Sequence, residues 1–531
     1  LNSSGTLRGR FVADEDQSNS FIDYDWSKTH SLYGALDVDL RDDTTLGLAV
    51  SNSDASARPM VRGLPRYANG KTVDVSRSTF TGSDWNRSHI DVTTVYADLE
   101  HRFNDDWSAK VGAVRMSENN DSTQQRVQSS GDGLNLDGTG VQYADWVTDF
   151  DSTKVGVDAN LVGHFDAFNM AQEIVVGGNY SKFTSDDRIA RTFNDSTDSI
   201  FDIDHHRPAI SYDSLLNTPG GRGTSSKYDI RQKGLYGTWR VKPIEPLTLI
   251  LGSRVSWYDY RYTAANEFAI SHDIAVENPS TMSENGEVTP FLGAIYDLNR
   301  EWSVYASYTD VFQPQSERDA SGSVLKPVVG SNYEVGLKGE LLDGRVNTSF
   351  ALFRYDQENR AVNDVASGFA CDGWYCSTAS GKVRSQGLDA EVSGEVLDGL
   401  NLFAGYTYNT TKYLDDPVNE GRVFSQWTPK HMLRVWSDYQ FSGDWSRVNA
   451  GLGFTTQSHT LGYERTYEVP GYTVWNARLG YKLSEEVDLA LNAYNLFDKH
   501  YYVAGYNQLD GNNNFGDPRN LMFSVKYTPA F

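Results

Sequence analysis

The chain has 531 residues, a formal net charge of −24 and a pI near 4.8. The acidic balance argues against a nucleic-acid partner, whose phosphates it would repel, and no run of about 18 apolar residues occurs, which excludes a membrane helix. Aromatic residues make up 13%, with 46 Gly and 2 Cys, a mix that suits many twisted strands with aromatic ends; the mean hydropathy of −0.52 leaves a β-barrel open, because only every second residue of its strands meets lipid.

In chain order the sequence repeats one unit: an alternating segment, a very short polar turn, another alternating segment, then a long polar loop. Leu1 is not an initiator methionine and no leader precedes it, so the chain is expected to be a mature or trimmed piece. Short turns are expected at 1–5, 41–44, 104–107, 166–169, 242–246, 299–302, 342–345, 397–400, 442–445 and 484–487. Most carry residues favoured in tight hairpins. Trp107, Trp302 and Trp445 follow directly on a turn, where an aromatic girdle would meet the lipid headgroups.

Between turns lie polar insertions at 55–85, 119–141, 185–225 and 313–331, rich in Asp, Asn, Ser, Gly and Arg. Alternation is plain elsewhere. Tyr333, Val335, Leu337 and Leu341 share one face against Glu334, Lys338 and Glu340; Val487, Leu489, Leu491 and Ala493 alternate with Asp488, Asn492 and Tyr494. In the last strand Leu521, Phe523, Val525 and Tyr527 form the apolar face. Period two with one apolar face signals a strand, and short turns on one side with long loops on the other match outer-membrane topology. The expectation is therefore all-β: a transmembrane antiparallel β-barrel of the bacterial outer membrane, one domain over residues 1–531, with about 20 strands.

Cys371 and Cys376 stand close together in a polar, Gly-containing stretch and read as a small disulfide made in an oxidising compartment, with two free thiols as the alternative. No second ligand pair lies nearby, so no zinc site is expected, and no metal is assigned elsewhere. His205 and His206, after Asp202 and Asp204, read as a solvated loop. Asp415, Asp416 and the 510–514 stretch lack the spacing of a calcium loop. No catalytic motif is found, so no enzyme activity is expected.

Several segments resemble one family. Tyr305-Ala-Ser-Tyr-Thr-Asp-Val-Phe-Gln-Pro-Gln315, Leu325-Lys-Pro327 and Asn332-Tyr-Glu-Val-Gly-Leu-Lys-Gly339 are similar to the central barrel signature of TonB-dependent siderophore receptors. Val383 to Glu391, Leu402 to Tyr408, Asn492 to Tyr502 and Gly516 to Asn520 resemble its later signatures, in the same order. Gly5 to Val12 and Gly63-Leu-Pro65 look like the hydroxamate, coprogen and pyoverdine-type subgroup. Haem receptors of the family show Phe-Arg-Ala-Pro where this chain has Phe312-Gln-Pro-Gln315.

The resemblance implies an outer-membrane receptor and active transporter for a ferric siderophore, energised through TonB. Haem, cobalamin or another nutrient, or a passive porin, are the alternatives. It implies a 22-stranded barrel with a plugged lumen, of which the plug, the first two strands and the TonB-contacting segment would lie upstream. No intrinsic cofactor is implied; the ferric siderophore is cargo. Further implied partners are outer-membrane lipid and lipopolysaccharide, the barrel-assembly machinery, and bacteriocins or phage docking on the loops. Phe523, Val525, Tyr527 and the terminal Phe531 fit the family's assembly signal, from which Pro529 departs because it lacks a ladder amide. A ferric chelate wrapped in organic groups calls for an aromatic pocket with a few polar groups. The residues expected to supply it are Trp85, Tyr143, Trp146, Phe312, Gln313, Trp374, Tyr375, Trp427 and Tyr463.

Overall fold

The computed structural model describes residues 4–277, 279–368, 371 and 375–529. Its strands are β1 (Leu7–Asn19), β2 (Trp26–Arg41), β3 (Thr44–Arg58), β4 (Arg87–Arg102), β5 (Trp107–Ser129), β6 (Val141–Ala167), β7 (Met170–Asp195) and β8 (Arg222–Ile244). They continue with β9 (Leu247–Phe268), β10 (Ile274–Val276), β11 (Ser280–Asp297), β12 (Trp302–Gln313), β13 (Val328–Leu341), β14 (Val346–Asp364), β15 (Cys376–Leu397) and β16 (Leu400–Asp415). The last are β17 (His431–Gln440), β18 (Val448–Gln457), β19 (Thr460–Leu461), β20 (Glu468–Val469), β21 (Tyr472–Lys482), β22 (Val487–Tyr494) and β23 (Asn520–Tyr527). One short helix, α1 (Tyr212–Leu216), interrupts a loop.

The strands number 23 rather than 20 among the described residues. The three extra ones, β10, β19 and β20, are two or three residues long and sit inside loops, too short to leave a periodic signal. The other 20 form one antiparallel meander in which each strand pairs with the next long one, β9 reaching past β10 to β11 and β18 past β19 and β20 to β21. Nine of the ten expected short turns link two of these strands; the first lies before β1 and is described only from residue 4.

The last hairpin shows how alternation becomes structure. Val487, Leu489, Leu491 and Ala493 lie directly opposite Tyr527, Val525, Phe523 and Leu521, so the two apolar faces merge into one bare apolar surface. β23 stops at Tyr527, two residues before Pro529; Phe531 lies outside the described residues. On β6, Val155, Val157, Ala159 and Leu161 face outward, while Asp158 and Asn160 point the other way. Trp107 stacks on Phe165 at 6.3 Å at the turn end of this wall, as a girdle requires.

The expected insertions are corrected in length. β5 runs on to Ser129, β7 to Asp195, β8 starts at Arg222 and β3 ends at Arg58, so 119–129, 185–195, 222–225 and 55–58 are strand. These tall ends rise above the lipid, where the outer face meets water or packed loops and no apolar alternation is required.

Loop contacts bend the sheet round on itself. Residues 59–86, which follow β3, hydrogen-bond to residues 495–519, which precede β23: Leu64 N donates to Asn513 O (2.9 Å) and Arg66 N to Leu509 O (2.8 Å). Partners about 450 positions apart meet only if the two ends of the meander approach each other. Between those ends the wall is open: β1 pairs with β2 and β23 with β22, and neither has a partner on its other side among the described residues.

Candidate functional site

The loops gather at one end into a crown over the lumen. Its centre is Arg66, 3% exposed. The Arg66 Nε donates to Asn513 Oδ1 (2.8 Å), Nη1 donates to Gly70 O (3.1 Å), and the guanidinium lies 4.2 Å from the Tyr467 ring and 5.2 Å from the Tyr502 ring. Asn513 completes the knot by donating to Leu64 O at 2.8 Å, Gln508 O at 2.7 Å and Gly511 O at 2.9 Å. Desolvation lowers the Arg66 pKa and pushes the Tyr467 and Tyr502 hydroxyls up to about 12. Gly63 holds φ +52°, and a Cβ there would lie 2.5 Å from Asn514 Oδ1 and 2.8 Å from Asn513 O, so the turn into Leu64 and Pro65 needs glycine.

Beside this knot three aromatic rings stand open to solvent. Trp427 meets Tyr506 edge-on at 5.4 Å and Tyr463 lies 5.1 Å from Tyr506; the three are 42%, 46% and 39% exposed. Tyr463 N donates to Asn507 O (2.7 Å) and Leu461 N to Gln426 O (2.8 Å), which fix the two loops that carry the rings. Large aromatic faces held open on a rigid base suit an organic chelate. The structure thus brings Trp427 and Tyr463 together and adds Tyr506, a residue the sequence reading missed.

The other expected residues are distributed differently. Trp146 points into the lumen, with the Arg126 and Arg191 guanidiniums over its ring. Trp85 donates its indole N–H to Arg207 O (2.8 Å) and ties two loops together. Tyr143 is 1% exposed in the loop core of Val73, Val127, Leu134, Val141 and Ile200, its hydroxyl donating to Asp198 Oδ2 (2.7 Å), so it presents no free surface. Phe312 shares its face of β12 with Tyr308, opposite the outward Tyr333, and so points away from the lumen; Gln313 points inward. Tyr375 is half-buried next to Cys376, and Trp374 lies outside the described residues. Cys371 and Cys376 form the expected disulfide, with Cα atoms 5.0 Å apart.

The His205–His206 stretch is solvated at His206, as expected, and only His205 packs partly against neighbouring loops. His205 Nδ1 lies 2.7 Å from Gly82 O and its ring packs 5.2 Å from Tyr24 and 6.0 Å from Phe80, while His206 Nδ1 meets Asp84 Oδ2 at 2.8 Å. The contact depends on Gly82 and Phe80, more than a hundred positions away, and leaves no local trace.

A tall antiparallel wall with an apolar outer belt, a polar lumen and an aromatic crown defines an outer-membrane receptor barrel. Residues 16–496 match the family described as TonB dependent receptor-like, beta-barrel, and the chain belongs to that family. It is 42% identical to the ferric-pyoverdine M114 receptor of Pseudomonas sp. strain M114 over 99% of this chain and 63% of that receptor. With the ferripyoverdine receptor of Pseudomonas aeruginosa it shares 32% identity, over 99% of this chain and 63% of the relative. A crystal structure of the Pseudomonas aeruginosa outer-membrane ferripyoverdine receptor bound to ferripyoverdine superposes with a TM-score of 0.83 at 30% identity, covering 99% of this chain and 68% of that one. The chain therefore spans a little under two thirds of the length of these curated relatives.

Proposed function

We propose that the protein is the barrel of a TonB-energised receptor and active transporter for a ferric siderophore of the pyoverdine class. The observation that carries the reading is the exposed Trp427, Tyr506 and Tyr463 cluster over a polar lumen, in a family whose similar members are ferric-pyoverdine receptors. Trp146, Gln313 and Tyr375 would add to the pocket from the wall and neighbouring loop, and Trp374 belongs to the same proposal.

The unpartnered edges of β1 and β23 support two further strands in the whole protein, because a bilayer tolerates no open sheet edge. A plug inside the lumen and a TonB-contacting segment belong to the same proposal, which makes residues 1–531 the barrel domain. TonB, lipopolysaccharide and the assembly machinery would be its partners. A related receptor has been captured in complex with pyocin S2, which supports a bacteriocin as a further loop partner.

The test is tryptophan quenching in the full-length protein, titrated with ferric pyoverdines, hydroxamates and catecholates, with haem as control. Saturable quenching by a ferric pyoverdine and not by haem is expected. Silence across the siderophore panel would overturn the reading in favour of another nutrient or a porin.

A further inference from the structure

A row of side chains crosses the upper wall at one height. Trp146 on β6 lies opposite Gln124 on β5 and Arg191 on β7, Arg191 lies opposite Arg222 on β8, and Arg222 opposite Phe268 on β9. Residues directly opposite share a face. The ladder of β6 is continuous, so Trp146 shares its face with Asp158 and Asn160 and not with Val155, Val157 and Leu161. The row therefore lines the lumen. It sits 17 positions above Gly163 (163 less 146), the partner of Trp107, which at about 3.3 Å per residue places it above the lipid band.

The row concentrates positive charge, and among the described residues no carboxylate forms an ion pair with it. The Arg126 and Arg191 guanidiniums lie 5.0 and 5.3 Å from the Trp146 ring centre, and that of Arg222 lies 5.6 Å from the Phe268 ring. Like charges directly opposite on paired strands repel. Among the described residues none of Arg126, Arg191 and Arg222 forms a salt bridge; Asp510, whose charge reaches Arg126, is already paired to Arg62 at 3.2 Å. Arg126 is 9% exposed, with its Nε donating to Gln128 Oε1 (3.3 Å). The indole N–H of Trp146 and the Nε of Arg222 are buried with no acceptor. Buried donors without acceptors and clustered cations without a counter-ion are costly. Burial and neighbouring arginines lower the pKa of both Arg126 and Arg191.

We infer that Arg126, Arg191 and Arg222, set round Trp146, form an anion subsite on the lumen wall that takes a carboxylate of the ferric chelate. The inference rests on the receptor reading above and adds the charge of the cargo to it. Guanidinium groups hold a carboxylate through paired, charge-assisted hydrogen bonds, and the Trp146 indole supplies a further donor and an aromatic wall. In a chain of net charge −24 an anionic chelate is repelled in general, so a local positive patch also decides where it settles.

The test uses the full-length receptor in detergent, with variants compared at equal barrel content by circular dichroism. Two probes are ferripyoverdine and the same chelate with its free carboxylates converted to amides. The wild type is expected to bind the acid form roughly tenfold more tightly than the amide form. In the double variant Arg191→Gln, Arg222→Gln that ratio falls to about 1, and Arg191→Lys, Arg222→Lys keeps part of it. A wild-type ratio near 1, or a ratio unchanged in the glutamine variant, would overturn the subsite. If the wild type binds neither form, the pyoverdine reading fails and citrate alone decides the subsite. Saturable quenching by citrate that Trp146→Phe and the double glutamine variant both lose supports it; a response equal in all three proteins, or none in the wild type, overturns it.

Discussion

The lower and upper halves of the same strands obey different rules. On β5 the outward positions from the turn are Val111 and Ala113, then Arg115, Ser117 and Asn119, on one unbroken ladder with β4 and β6. On β6 the outward Leu161, Val157 and Val155 give way to Thr153, Asp151 and Asp149. The hydrogen bonding does not change along these strands; the solvent outside does. Alternation of apolar and polar residues is therefore a record of lipid on one face, not of strand as such. Above the band the outer face meets water or, at the tips of β5 and β6, packed loops; the sequence reads as loop, and the sheet continues regardless.

The sharpest test of that boundary places charge on either side of it. Val157→Arg faces the middle of the apolar belt and should destabilise the barrel by about 2–4 kcal/mol. Ser117→Arg, on the outward face beside the natural Arg115, should change stability by no more than about 0.5 kcal/mol. Denaturant titration of the full-length protein folded into lipid vesicles measures both, and equal effects would put the boundary elsewhere.

The crown should loosen without the wall. Arg66→Ala strips Asn513 and Gly70 of a buried donor and removes two ring contacts, for about 2–3 kcal/mol of local opening free energy. Hydrogen exchange should rise through residues 61–73 and stay low in β5 to β8. Rising exchange in the strands as well would mean that crown and wall open as one unit.

Within the crown, open rings should matter to binding and packed ones should not. Trp427→Ala is expected to weaken ferripyoverdine binding about tenfold. Trp85→Phe, which removes the indole bond to the Arg207 carbonyl, should shift affinity less than about twofold while loosening that loop. Quenching titrations with the two variants compare them, and the reverse order would reassign the pocket.

The smallest effect expected is a pH response of one tether. Arg77 donates to both carboxylate oxygens of Asp498, at 3.0 and 3.1 Å, and holds that carboxyl at about 2 instead of its ordinary 3.8. A lowered folded-state pKa contributes its stability in full above 3.8 and loses it as pH falls through about 2. Limited proteolysis of residues 72–79 should accelerate in that window, and Arg77→Ala should be faster at pH 5 and flat below it. A wild-type rate independent of pH would mean that the exposed pair holds nothing in place.

Much of the architecture was written locally. The nine turns that join strands, the outward faces of β13, β22 and β23, the count of long strands and the Cys371–Cys376 bond all follow from neighbours a few residues apart, because tight hairpins and lipid-facing alternation are short-range demands. Of the pocket, residue type pointed correctly to open aromatic rings at Trp427 and Tyr463, yet could not separate them from Tyr143, which packs the loop core. Arg66 joins Asn513 across 447 positions, and Trp146 meets Arg191 and Arg222 only through the register of three strands. Those contacts depend on how far each strand climbs above the membrane and on where the sheet curls back. Above the lipid no hydrophobic pattern marks either one in the sequence, so the tertiary structure alone decided them.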